Sequence, residues 1–297
     1  MITLIFSLDN TLSRNIFNLL QSKGHLVNEE KTKDYTFYDF TLDHENNICK
    51  AVCVKDYLYL TNEDVSKIQE KIKDKCEFLI ISTHRSETQK IDTISIHVCG
   101  NFNKNELGGE KQKLSLAYLD AFDFLYKAIA EDKEKPNTLE FFIEATHHGP
   151  SLDIPILYYE IGPNNDAYNN KEYQEYYIKK LIEYLTLHPK TSSEHYVLIG
   201  APHYLDAKMA NNIKAKMKEK NNKDNVFFSH IIPKYSLTDI LELSDNELEN
   251  IFTEVIDKSQ TEKLILNKEY MKSLTRITSI LDNLKKNRKK GIDYYII

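Results

Sequence analysis

Half of the ten histidines in this sequence fall at or just past apolar runs of the buried-strand type. His97 ends the run 91–98. His147 and His148 lie three and four residues beyond Glu144, just past the run 139–143; His203 follows 196–199, and His230 ends 226–228. Imidazole exchanges its proton near neutral pH and is the commonest neutral metal ligand. A carboxylate among imidazoles, such as Glu144, orients a ring or ligates a cation. If the strands run parallel, all five rings gather outside the carboxyl ends of the sheet, in the crevice where open α/β sheets bind ligands. His97, Glu144, His147, His148 and His203 are therefore expected to line one pocket, with at least one imidazole–carboxylate hydrogen bond. In an extended loop neighbouring side chains point to opposite sides, so His147 and His148 are expected to divide roles rather than grip one ion. His25, His44, His188 and His195 read as structural or surface residues.

The chain has only eight glycines, and six of them fall in 97–109, 144–168, 199–206 and 228–235, beside five of the seven prolines. So sparing a use keeps glycine where the backbone needs positive φ or close approach. Gly108-Gly109, after Asn101, could bring backbone N–H groups to a phosphate or oxyanion, or could form a plain turn. No H-E-x-x-H, Walker A, G-x-S-x-G or G-x-G-x-x-G occurs, so the common zincin, NTPase, hydrolase and dinucleotide signatures are absent.

Positioning these residues falls to apolar β-rich runs that alternate with helical periodicity. Strands are expected at 2–6, 35–40, 51–60, 78–81, 91–98, 139–143, 156–161, 196–199, 226–232 and 264–266. Helices are expected from 11 to a stop at Gly24, from an Asn62 cap through Ile72, and over 113–130, 168–187, 205–220, 245–257 and 268–287. Buried strands alternating with helices mean an α/β fold: a mostly parallel or mixed central sheet with helices on both faces. One domain over 1–297 is expected, with helical additions at the C-terminus.

Composition narrows the partners. The net charge of −6 excludes a polycation, so any RNA contact needs a local basic patch. The cluster 285–290 is one: Lys285, Lys286 and Arg288 read either as phosphate contacts or as a solvated helix end. Four cysteines without a C-x-x-C exclude a disulfide framework and a zinc ribbon. The first residues lack a basic n-region, and no run approaches the roughly 20 apolar residues of a membrane span, so a cytoplasmic protein is expected.

At these residues the chain resembles the archaeal-type D-aminoacyl-tRNA deacylases. The blocks run in order: Ser-Thr-His-Arg-Ser at 82–86, His-Val-Cys-Gly-Asn-Phe at 97–102 on to Gly108-Gly109, and Glu-Ala-Thr-His-His-Gly-Pro-Ser at 144–151. Pro155 with Tyr-Glu-Ile-Gly at 159–162, Gly-Ala-Pro-His-Tyr at 200–204 and His-Ile-Ile-Pro-Lys-Tyr at 230–235 complete them. Phe102 and Tyr168 stand where the family usually shows Trp. The resemblance implies hydrolysis of the ester joining a D-amino acid to the tRNA 3′ end, releasing free D-amino acid and tRNA. It also implies a fold similar to peptidyl-tRNA hydrolases and nucleoside phosphorylases, a monomer, and zinc as cofactor.

Under that reading His148, Glu144 and Thr146 are the candidate catalytic residues. His97, His147 and His203 come from three strand ends and are the candidate zinc ligands, with Glu144 behind them. The same crevice could instead work with imidazole and backbone N–H groups alone. Asn101, Gly108, Gly109, Tyr204, His230, Lys285, Lys286 and Arg288 are candidate contacts to substrate and RNA. Two rivals remain: a metal-dependent hydrolase of a small ester or amide, and a non-catalytic protein for the tRNA acceptor end. The basic cluster favours RNA over the first, and the intact His/Glu set favours catalysis over the second.

Overall fold

The computed structural model describes residues 1–42, 48–55, 60–86, 90–223, 225–271, 273–287 and 291–297. The chain runs β1 (Ile2–Ser7), α1 (Thr11–Lys23), β2 (His25–Lys31), β3 (Tyr35–Thr41), β4 (Ile48–Val54) and α2 (Asn62–Ile72). Next come β5 (Glu77–Thr83), β6 (Thr93–His97), and the short β7 (Gly100–Asn101), β8 (Lys113–Leu114) and β9 (Leu116–Ala117). Then follow α3 (Leu119–Ile129), β10 (Glu140–Glu144), β11 (Pro155–Gly162), α4 (Asn165–Asn169) and α5 (Lys171–Leu187). The last third holds β12 (Glu194–Ala201), β13 (Tyr204–Asp206), α6 (Ala207–Asn221), β14 (Val226–Pro233), α7 (Lys234–Ile240) and α8 (Asp245–Ser259). It closes with β15 (Lys263–Leu266), α9 (Leu274–Asn287) and β16 (Asp293–Ile296). No helix among the described residues is long and apolar enough to cross a membrane.

The helices start where polar side chains satisfy their first N–H groups. Asn10 accepts from Ser13 N–H at the head of α1, and Thr61 with Asp64 and Ser244 with Glu247 form capping boxes on α2 and α8. The strands build two main sheets. The larger has the order β13-β10-β6-β11-β5-β1-β4-β3-β2, with β9 beside β11. Its centre, β4-β1-β5-β11, is parallel, whereas β11 runs antiparallel to β6. The smaller sheet, β14-β12-β15-β16, is parallel throughout. The α/β reading with a mixed sheet therefore holds. The largest apolar cluster joins both sheets, with Leu79, Ile96 and Tyr159 of the first packed in one body with Tyr196, Leu198 and Phe228 of the second.

Some elements differ from expectation. The helix over 113–130 begins only at Leu119, because 113–117 is extended: Leu114 pairs with Gly100, and Leu116 and Ala117 pair with Pro155 and Ile156. Leu114 and Ala117 are buried either way, so the helical spacing did not discriminate. The strand foreseen at 51–60 is β4, which starts upstream at Ile48 and ends at Val54, and 56–59 lie outside the described residues. At 268–287 a short 3-10 turn, Lys268–Tyr270, precedes a helix that starts at Leu274. The edge strand β2 was not foreseen; all seven of its residues are exposed, so no apolar alternation marks it.

Candidate active site

The loop after β10 is stitched to the second sheet. Ala145 N–H donates to His203 O at 2.7 Å and Thr146 N–H to Ile231 O at 3.0 Å. Behind this seam lies fully buried His230, within β14 rather than at its end. Its Nε2 is 2.9 Å from Ser115 O; a carbonyl only accepts, so Nε2 carries the proton. Nδ1 is then the acceptor for the Thr146 hydroxyl at 3.1 Å, and Thr146 Oγ1 accepts the Ile231 N–H at 3.0 Å. Burial pushes His230 down to about 4, and the ring stays neutral. The hydroxyl expected in catalysis and the imidazole expected on substrate spend their polar atoms on each other and on backbone.

His147 and His148 converge instead of opposing each other. His148 takes a left-handed φ of 38°, so the loop is not extended and the assumption behind divided roles fails. Their ring centroids lie 4.5 Å apart, and His97 is 4.2 Å from His147 and 5.0 Å from His148. Each Nδ1 faces a carbonyl: His147 to Ala145 O at 2.8 Å, His148 to Gly149 O at 2.6 Å, His97 to Val98 O at 3.4 Å. The protons therefore sit on Nδ1, which makes Nε2 the lone-pair nitrogen of each ring. One ligating nitrogen of each ring comes within 4.8 Å of the others. His97 Nε2 is buried with no hydrogen-bond partner among the described residues. Burial, then the neighbouring rings, push His147 well below the usual histidine range and His148 down to about 4. Neutral imidazole is the form that ligates a metal.

Glu144, 1% exposed, forms a second centre. His84 Nδ1 lies 3.2 Å from Oε1, and His203 Nε2 and His147 Nε2 lie 3.4 and 3.8 Å from Oε2. Neither oxygen reaches hydrogen-bond geometry with a described residue, so ion-pair contacts stand where an imidazole–carboxylate hydrogen bond was expected. Burial alone would raise this carboxyl, but His84, His203 and His147 outweigh it and hold it well below the usual carboxylate range. By the same balance, burial works against the His84 proton and Glu144 overcomes it, raising His84. The Tyr204 hydroxyl sits 3.2 Å from His84 Nε2, and the Tyr235 hydroxyl 3.0 Å from His203 Nδ1.

These groups surround a cavity of about 230 Å³ into which His147, His148, His203 and Tyr204 open, with His84, Arg85, Leu107, Tyr158 and Glu160 completing much of its wall. Glu144 and His97 lie just behind them. The groups able to hold a metal are His97, His147 and His148; Glu144, His147 and His203; and His84, Glu144 and Glu160. The foreseen trio of His97, His147 and His203 is thus divided between two groups that share His147, and Glu144 stands beside the imidazoles instead of behind them.

Among the pocket residues outside the candidate set, His84, Tyr158 and Glu160 bear most on the chemistry. His84 lies three residues past the run 78–81, so the strand-end rule that selects His147 selects it too. Its ring rests on Gly162, where a Cβ would meet His84 Cδ2 at 2.7 Å. Tyr158 and Glu160 come from mid-strand, because β11 crosses β6 antiparallel and sets Tyr158 opposite His97. A carboxylate inside the apolar run 156–161 was the available signal for Glu160.

The remaining candidates lie around this pocket or away from it. Asn101 Nδ2 donates to Glu106 O at 3.0 Å, and Gly109 N–H to the same carbonyl at 3.3 Å. A Cβ on Gly149 would collide with the backbone of Gly109, so this glycine pair lets the loop 103–109 lie on the histidine loop and brings Leu107 to the pocket wall. Asn101 lines an adjoining groove with Lys104, His147 and Tyr235. Lys285 pairs with Asp293 at 3.2 Å, at the opening of β16. Asp293 is level with Lys263, and Val197 with Leu264, so this end lies about five strand residues, roughly 16 Å, from the end of β12 that leads to His203. Lys286 follows in the same helix end, and Arg288 lies outside the described residues, as does His44. His195 is buried against Asp123 at 2.8 Å, His188 caps α5, and His25 is exposed.

Comparison with known proteins shows the fold and the family of the chain. A solved conserved protein of unknown function, AF0625, matches all of this chain and 95% of its own with a TM-score of 0.74 at 20% identity, which shows a shared fold. A purine nucleoside phosphorylase from Toxoplasma gondii is a remoter likeness, with a TM-score of 0.40 and 10% identity over 63% of this chain and 90% of that one. Curated D-aminoacyl-tRNA deacylases from Ignicoccus hospitalis and Pyrococcus furiosus are each 27% identical, over 67% and 71% of this chain and 74% and 76% of theirs. The family model described as D-aminoacyl-tRNA deacylase matches residues 72–288, which takes in every side chain of the pocket except Asn10, and the chain belongs to the D-aminoacyl-tRNA deacylase family.

Proposed function

We propose that this enzyme hydrolyses the ester of D-aminoacyl-tRNA in the histidine-lined cavity, releasing the D-amino acid and free tRNA. One observation carries the assignment of the site: the Glu144 carboxylate, buried and without a hydrogen bond among the described residues, faces three imidazoles at the edge of a cavity that a small acyl group can enter. The buried carboxylate stays ionised and therefore cannot donate a proton. It holds His84 as imidazolium and orients His203 and His147. His84, with Tyr204 beside it, is placed to donate a hydrogen bond to an oxyanion or to the departing ribose oxygen. With no metal bound, the neutral imidazole of His148 is placed to take the proton of the attacking water; with the ion bound it would be a ligand instead.

The donor set also fits zinc. One nitrogen of each of three rings lies within 4.8 Å of the others, and His97 Nε2 has no hydrogen-bond partner among the described residues. His97, His147 and His148 would hold the ion, with His203 and Glu144 next to it. Bound there, Zn²⁺ supplies positive charge that polarises the ester carbonyl and lowers the pKa of water.

The RNA end approaches from the side where Arg85 and Lys104 line the cavity and its adjoining groove and Lys234 opens α7. Arg85 and Lys104 are lining residues and Lys234 precedes the groove residue Tyr235, whereas Lys285 and Lys286 lie at the other end of the second sheet. A monomer acting in the cytoplasm, where aminoacyl-tRNA is made and used, completes the reading.

Incubation with matched D- and L-tyrosyl-tRNA, following ester loss, tests the assignment. Faster loss of the D-ester is expected, and equal or absent loss would overturn it. Exhaustive chelation should abolish activity and added Zn²⁺ restore it. Full activity in metal-free protein would leave the histidines with acid–base work alone.

A further inference from the structure

Glu160 is used by none of these steps. Its residue is 4% exposed, it lies in the middle of β11, and it opens into the cavity. The nearest opposite group is His97 Nε2 at 3.6 Å, an atom that makes no hydrogen bond. Glu160 and Glu144 come within 4.8 Å of each other, beside His84. Two carboxylates this close to each other and to His84 leave a place for a cation on the cavity side, filled either by the zinc that the imidazoles fit or by a cationic group of the substrate.

An aminoacyl ester brings such a cation, since its α-amino group is free and protonated. We propose that Glu160 receives the α-ammonium of the aminoacyl group, an inference that rests on the deacylase reading of the same cavity. The dimensions agree. In the substrate the amino nitrogen and the ester carbonyl carbon are two bonds apart, about 2.5 Å. In the protein Glu160 neighbours Glu144, and Glu144 neighbours His147 and His203, each step within 4.8 Å. An ammonium on Glu160 therefore leaves the carbonyl within reach of the imidazoles. With the amine and the ester both fixed, the side chain and hydrogen on the α-carbon exchange places between enantiomers, so Glu160 supplies one of the anchors that reading chirality requires.

The test compares D-tyrosyl-tRNA with its deaminated counterpart, in which nitrous acid has replaced the amine by a hydroxyl with retained configuration. Wild-type and Glu160→Gln proteins are assayed on both, with melting temperature recorded. Glu160→Gln should lower kcat/KM on D-tyrosyl-tRNA roughly 30-fold or more, as for a buried charge pair losing one partner. It should leave the hydroxyl ester within about 3-fold, because that ester has no charge to lose. Equal losses on both esters would assign Glu160 to metal or fold and overturn the proposal. A second measurement needs no variant: inhibition of wild-type protein by 3′-deoxy-3′-(D-tyrosylamino)adenosine against its deaminated form. Tighter inhibition by the amine is expected, and equal inhibition overturns the proposal. Wild-type protein that left D-tyrosyl-tRNA intact would instead refute the deacylase reading itself.

Discussion

Replacing His148 by alanine should lower turnover by a factor of about 10²–10⁴, the range for losing a group that handles the proton of the reaction. Steady-state deacylation checks this, and near-normal activity would pass the role to His147 or His97. Thr146 should behave differently, because its hydroxyl donates to His230 and accepts from Ile231. Thr146→Ser keeps both bonds and should hold kcat within about 3-fold. Thr146→Val strands His230 Nδ1 and the Ile231 N–H and should cost about 1–3 kcal/mol in denaturant unfolding. At this scale the sequence told which residue types matter more than what each does. His97, Glu144, His147, His148 and His203 do assemble, since strand ends are visible as apolar runs. Thr146 and His230 sit in the same blocks, yet their work is decided by a contact between residues 84 apart, which no local pattern carries.

Elements decide which way those residues face. Strand–helix alternation was enough for the α/β architecture, but strand direction is set by tertiary pairing. The run 156–161 is parallel to β5 as the alternation suggests, but on its other side it pairs antiparallel with β6, which sets Tyr158 opposite His97. The helix α5 is tied down at its polar face by Asp132, which meets the Tyr176 hydroxyl and Lys180 Nζ, each at 2.9 Å. Burial would raise this carboxyl, but Lys180, the Glu134 N–H and Tyr176 prevail and hold it at about 2. A folded-state pKa below the unfolded value of about 3.9 means stability that is present above pH 4 and lost as the pH falls through 2. Asp132→Asn should therefore lower Tm by about 2–4 °C at pH 7 and leave it unchanged near pH 2, by thermal unfolding across that range.

For the whole molecule, a chain of net charge −6 must meet a polyanion through a few local cations. Neutralising Arg85, Lys104 and Lys234 together should weaken tRNA binding and reduce the slope of log Kd against log salt by about 2–3, one counterion-release contribution per phosphate contact. Changing Lys285 and Lys286 to Gln should leave that slope alone; a reversed result would bring the acceptor stem across the other end of the second sheet. The density of basic residues at 285–290 was legible in the sequence, but the end of the sheet at which Lys285 and Lys286 lie was not, because position follows from the parallel pairing of β15 and β16. The seam between the two sheets has a further consequence, in the order of events when the chain folds. It joins Thr146 to Ile231 and His230 to Ser115, partners 85 and 115 residues apart, so the loop bearing His147 and His148 takes its final shape only after both sheets exist. Helix content and tyrosine burial can return while the two sheets are still undocked, and the enzyme is then compact and inert. Catalysis in this protein therefore reports the last docking step of folding, and a lesion far away in the second sheet is felt first as lost turnover.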